Sequence, residues 1–82
     1  MKRYYPFIAL MILEFLYLET NKTHPADMET ILQHIVNRCD VNIDRRTFRR
    51  NIKGLQDVMG YKQVKVRRTK DYTRKCLYWW ED

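Results

Sequence analysis

The hydrophobic pattern of this chain changes period once, at Gly60, and that switch limits the folds open to it. Before Gly60 the apolar residues recur at helical spacing, and after it they alternate. Met28, Ile31, Leu32, Ile35, Val36 and Cys39 fall at i, i+3, i+4, i+7, i+8 and i+11, an amphipathic stripe. On a helical wheel of ~3.6 residues per turn, Phe48, Ile52, Leu55 and Met59 lie within about 60° of one another. Beyond Gly60, Val64 and Val66 alternate with charged residues, and Arg74–Trp80 (RKCLYWW) is aromatic and β-prone. A polar turn, Thr69–Thr73, separates these two runs. The predicted order is therefore three helices followed by a β-hairpin, an α+β arrangement. At 82 residues the chain holds one domain and is too short for a barrel, a dinucleotide-binding fold or most enzyme scaffolds.

Local signals set the expected boundaries. The first helix is predicted over about residues 5–19, with Pro6 in its first turn. Its segment Phe7–Leu18 (FIALMILEFLYL) is nearly all apolar. It runs for twelve residues and contains Glu14, whereas a membrane span needs about twenty. Glu19–His24 offers no small-residue cleavage site of the signal-peptide kind. The segment therefore reads as a central helix buried all round. The second helix is predicted over about 25–39, with Pro25 in the first turn and Asp27 and Glu29 near the positive end of its dipole. Asp40–Ile43 reads as a turn whose Val41 and Ile43 tuck under the helices. Asp44 suits an N-cap. The third helix then covers about 45–59, closed by a left-handed Gly60, and the hairpin covers about 61–80.

Charge separates along the chain. The net charge is +6, with −1 over residues 1–40 and +7 over residues 41–82. Of the twelve Lys and Arg after residue 40, five lie on the third helix and seven on or beside the hairpin. Arg45, Arg46, Arg49 and Arg50 repel one another at i, i+4 spacing, which costs helix stability and favours a partner that neutralises them. A basic half on a near-neutral support points to a polyanion. Cys39, Cys76, His24 and His34 show no metal-ligand spacing, and no glycine-rich phosphate loop or hydrolase motif occurs. The expectation is a non-enzymatic protein without metal or cofactor, its cysteines free in a reducing cytoplasm.

The segment Asp44–Leu55 (DRRTFRRNIKGL) resembles the recognition helix of WYL-type and DeoR-like bacterial transcriptional regulators. Arg46, Thr47, Arg50, Ile52 and Leu55 match that pattern; Phe48, Asp44 and Asn51 replace its usual residues, and Gly60 arrives about one residue late. Three helices and a basic hairpin are also the layout of a winged helix-turn-helix, so the resemblance implies that fold and a duplex-DNA partner. The ligand-sensing region of WYL regulators has no counterpart in this chain, so no small-molecule ligand is expected. A recognition helix enters the major groove by its N-terminal part. The wheel assigns Arg46, Thr47 and Arg50 to base edges. It leaves Arg45, Arg49 and Lys53, with Arg67, Arg68, Lys70 and Arg74 of the hairpin, to the backbone. The reading is a small regulator or repressor; a recombination directionality factor and a protein–protein inhibitor reusing the fold are the alternatives. A homodimer through the first helix or the aromatic strand Leu77–Trp80 is the expected self-association.

Overall fold

The computed structural model describes residues 6–82. Three helices pack with a three-stranded antiparallel sheet. In chain order these are α1 (Pro6–Glu19), β1 (Ala26–Asp27), α2 (Met28–Cys39), α3 (Arg45–Lys53), β2 (Val64–Arg68) and β3 (Cys76–Trp80). The part of the predicted first helix at residue 5 lies outside the described residues. A π-helical turn, Gly54–Val58, extends α3.

The second helix starts later than its sequence suggests. Pro25 is not in its first turn; Ala26 and Asp27 are extended and pair with Tyr78 and Leu77 of β3. Asp27 caps the helix instead. Its backbone is extended (φ −86°, ψ 171°) and its carboxylate accepts from the Thr30 N–H at 2.9 Å. At the far end Asp40 adopts a left-handed conformation (φ 56°) and donates its N–H to the Val36 carbonyl at 2.8 Å, which stops α2. Asp44 caps α3 as expected, accepting from the Thr47 N–H at 2.7 Å.

The core joins Ile8, Ile12 and Leu16 of α1, Ile31 and Ile35 of α2, Phe48 and Ile52 of α3, and Leu55, Val64 and Tyr78. Phe48 is fully buried and meets Tyr78 edge-on, ring centroids 5.2 Å apart. Val41 and Ile43 are partly buried against this core. Thr20, buried at the end of α1, donates to the Leu16 carbonyl and accepts from the Trp80 N–H at 3.0 Å, tying α1 to β3.

Several expectations about faces are corrected. α1 is not buried all round: Leu10, Tyr17 and Leu18 are about 60% exposed, because only one side of α1 meets the other elements. Met59 leaves the core stripe and is exposed, since the π turn's i→i−5 bond (Met59 N–H to the Gly54 carbonyl, 2.9 Å) changes the phase. Gly60 has φ 75°, the left-handed turn expected of it. The hairpin forms in register, with Val64 opposite Trp80 and Arg68 opposite Cys76. Val66 is partly exposed. β3 offers no aromatic docking face: Tyr78 and Trp79 are buried, and Leu77 and Trp80 half-buried. Tyr17 and Tyr61 cover Trp80. β3 is also the middle strand, ordered β1-β3-β2, so both of its edges are engaged.

Among the described residues both cysteines are free, no group of three His, Cys, Asp or Glu could hold a metal ion, and no helix is long and apolar enough to cross a membrane.

Candidate nucleic-acid interface

The basic residues of α3 divide into two sets, and helix geometry explains the division. Phe48 and Ile52 are buried and fix the inward side of α3. At about 100° per residue, Arg46, Arg50 and Lys53 then project away from the core, and Arg45 and Arg49 lie on one flank. That flank faces the hairpin. Thr47 borders the opposite flank and is half-buried; its carbonyl accepts from the Asn51 side chain at 2.8 Å. Of the three residues predicted to meet bases, Arg46 and Arg50 are exposed on the outward face and Thr47 is set aside from it.

The hairpin divides by strand alternation. Arg68 opposes Cys76, so it shares a face with Cys76 and Tyr78, the face turned to the core. Arg67 opposes Leu77 and points to the other side. Lys70 sits on the exposed tip.

Between the α3 flank and the hairpin lies a cavity of about 330 Å³. Arg45 and Arg49 reach it from α3, Arg68 from β2, and Arg74 and Lys75 from the loop after the tip. Two carboxylates also line it, Asp27 and Glu29. Each already has a partner: Arg45 meets Glu29 at 2.7 Å and Lys75 meets Asp27 at 3.5 Å. Among the described residues no carboxylate lies within 4.0 Å of Arg46, Arg49, Arg50, Arg68 or Arg74. Lys53 has Asp57 at 4.0 Å, an exposed contact of little energetic weight.

Tyr78 closes the floor of this cavity. Burial pushes its phenol up to about 12, with Cys76 adding to the effect. The positive charges of Arg49 and Arg68 act in the opposite sense. Cations from α3 and from β2 therefore bear on one hydroxyl.

The hairpin tip is braced internally. The Asp71 carboxylate accepts from the Thr69 hydroxyl at 3.0 Å and from the Thr73 N–H at 3.0 Å, and also from the Thr73 hydroxyl. These hydroxyl bonds, Thr73 first and Thr69 next, hold the Asp71 carboxyl below the usual carboxylate range. Thr69 and Lys75 close the loop through the Thr69 N–H to the Lys75 carbonyl (2.7 Å) and the Lys75 N–H to the Thr69 hydroxyl (3.0 Å). Arg74 is forced left-handed, with φ 50°. Tyr72 stands almost fully exposed on this tip.

The sequence identified the arginines but not these arrangements. The brace and the left-handed Arg74 had no distinct signal beyond a polar turn. Tyr72 was legible only as an aromatic residue inside a basic segment.

No protein-family model matches this chain, and no curated protein or solved structure was found to be similar to it.

Proposed function

We propose that this protein is a winged helix-turn-helix domain that binds double-stranded DNA, with α3 in the major groove and the β2–β3 hairpin as the wing. The observation that carries this reading is a continuous run of unpaired arginines. Arg46 and Arg50 on the outward face of α3 continue through Arg49 to Arg68 and Arg74 of the hairpin, and none of the five has a carboxylate partner among the described residues. An arginine fork matches the O6 and N7 acceptors of guanine, which gives Arg46 and Arg50 the base-reading role. Arg45, Arg49 and Lys53 with Arg68, Lys70 and Arg74 of the hairpin hold phosphates, which supply affinity without sequence choice, while Arg67 points away from them. Thr47 is placed for a phosphate at the groove edge rather than for a base. The cellular role that fits is a small transcriptional regulator, and a second copy of the chain docks along the outward face of α1.

A gel-shift titration with genomic fragments at two salt concentrations tests the reading. The expected result is a preferred site that survives the higher salt. Arg46→Ala should lower the preference by about 1–3 kcal/mol at one base pair, whereas Lys70→Ala should weaken all sequences alike. Absence of binding at low salt would sink the proposal.

A further inference from the structure

The cavity between α3 and the hairpin is more than a stretch of basic surface. Its five cations face two carboxylates, leaving three positive charges around about 330 Å³. That volume lies at the low end of the ~300–1,000 Å³ range of small-ligand sites and is room for one phosphate with its flanking sugar. The cations come from three separate segments: Arg45 and Arg49 from α3, Arg68 from β2, and Arg74 and Lys75 from the loop. Guanidinium forks held on different elements match the several oxygens of a phosphate better than the two of a carboxylate.

The conformation of Arg74 is the second observation. A left-handed arginine (φ 50°) is strained relative to the ordinary helical or extended basins. Glycine or asparagine suits such a position. Here the residue is an arginine that lines the cavity, and Asp71 holds the loop in place by accepting from Thr69 and Thr73. Its N–H bonds the Asp71 carbonyl at 3.2 Å, so the tight turn itself needs only a backbone. The side chain is therefore what the strain retains.

We infer that this cavity is a phosphate site, formed by Arg49 and Arg68 with the α3 flank and completed by the strained Arg74. As a seat for one backbone phosphate of DNA it rests on the function proposed above, but the chemistry is that of any phosphate that fits. The site would fix how α3 and the hairpin straddle a strand.

The test is a titration of the whole chain with inorganic phosphate, followed by nuclear magnetic resonance of the arginine Nε–H groups, with Arg74→Gly beside the wild type. In the wild type the Arg49, Arg68 and Arg74 resonances should move together and saturate, while the exposed Arg38 stays still. Arg74→Gly should bind phosphate about tenfold more weakly, the loss of one charge-assisted contact. It should melt no lower than the wild type, and about 3 °C higher, because glycine relieves the backbone. Weaker binding in a sturdier protein is what a merely structural arginine would not give. Equal phosphate affinity in the two proteins, or shifts spread evenly over all arginines, would overturn the inference. A matching titration with duplex DNA separates the sources. If phosphate saturates the cavity and DNA does not bind, the DNA reading fails and the site stands for a free phosphate. If DNA binds and Arg74→Gly changes neither titration, the site fails and the DNA reading stands. Saturation by an acidic peptide with no response to phosphate would also overturn it.

Discussion

Arg67 and Arg68 are neighbours in sequence with the same charge, yet they project from opposite sides of the hairpin, which makes them a matched pair for testing the interface. Arg68 lines the cavity beside α3, and Arg67 lies across from Leu77 on the other face. Six cations on the α3 side or the tip are the ones given to phosphates: Arg45, Arg49, Lys53, Arg68, Lys70 and Arg74. If each meets one phosphate, log K falls with log salt at a slope of about −5, a loss of roughly 10³-fold between ~50 and ~200 mM salt. Arg68→Gln should remove one contact, making the slope shallower by about 0.9 and lowering affinity about eightfold near ~0.1 M salt. Arg67→Gln should leave the slope unchanged and lower affinity less than about twofold, since its charge acts only through screened distance. Fluorescence anisotropy of a labelled duplex across four or five salt concentrations reads both quantities. Equal losses for the two variants, or a larger loss for Arg67→Gln, would refute the assignment of the binding face.

The other predictions concern stability and assembly. Gly60 is left-handed (φ 75°) with open space around a would-be Cβ, so Gly60→Ala should cost about 1 kcal/mol from backbone strain alone and lower the melting temperature by about 4–8 °C. Gly54 is right-handed helical with the same open surroundings, so Gly54→Ala should instead raise it. The caps Asp27 and Asp44 both have carboxyls below the usual range, chiefly because each accepts a backbone N–H, from Thr30 and Thr47. Lowered folded-state values mean that this stability is complete above the unfolded carboxylate pKa and disappears as pH falls through the folded one. The urea midpoint should therefore fall below about pH 4, and fall less in Asp27→Asn with Asp44→Asn. Replacing exposed Leu10 and Leu18 by Ser should convert a dimer to a monomer in sedimentation equilibrium; a wild type that sediments as a monomer would rule out pairing through α1.

The sequence was most informative where one residue type answers one local demand. Asp44 before the arginines marked the start of α3, Gly60 marked the left-handed turn after the π turn that prolongs it, and the alternation beyond marked the hairpin. Prediction failed where a residue can satisfy either of two roles. Pro25 suits a helix start, but Asp27 two residues later offers a carboxylate to Thr30 while its own backbone pairs with Leu77. Choosing between them depends on β3, about fifty residues away in sequence, which no local pattern reveals. The uniform apolarity of α1 likewise concealed which of its faces is buried. The aromatic strand Leu77–Trp80 offers itself as a dimer surface in sequence because alternation shows where side chains point and not what covers them; Tyr17, near the end of α1, covers Trp80.

The position of the arginines on α3 follows from two contacts that carry no charge pairing of their own. Asp44 fixes the first turn through the Thr47 N–H, and Phe48, fully buried against Tyr78, fixes the rotation of the helix about its axis. With both set, residues 46 and 50 must face outward and residues 45 and 49 must face the hairpin, since successive residues turn by about 100°. A one-residue change in the cap would rotate all four arginines together and bring a different pair over the cavity. The division between a base-reading set and a phosphate-holding set is therefore a property of the core as much as of the surface. It also explains why Tyr78 matters to both: its ring positions Phe48 and so α3, and its hydroxyl lies under the charges of Arg49 and Arg68. Loss of that ring should disturb binding without removing a single cation.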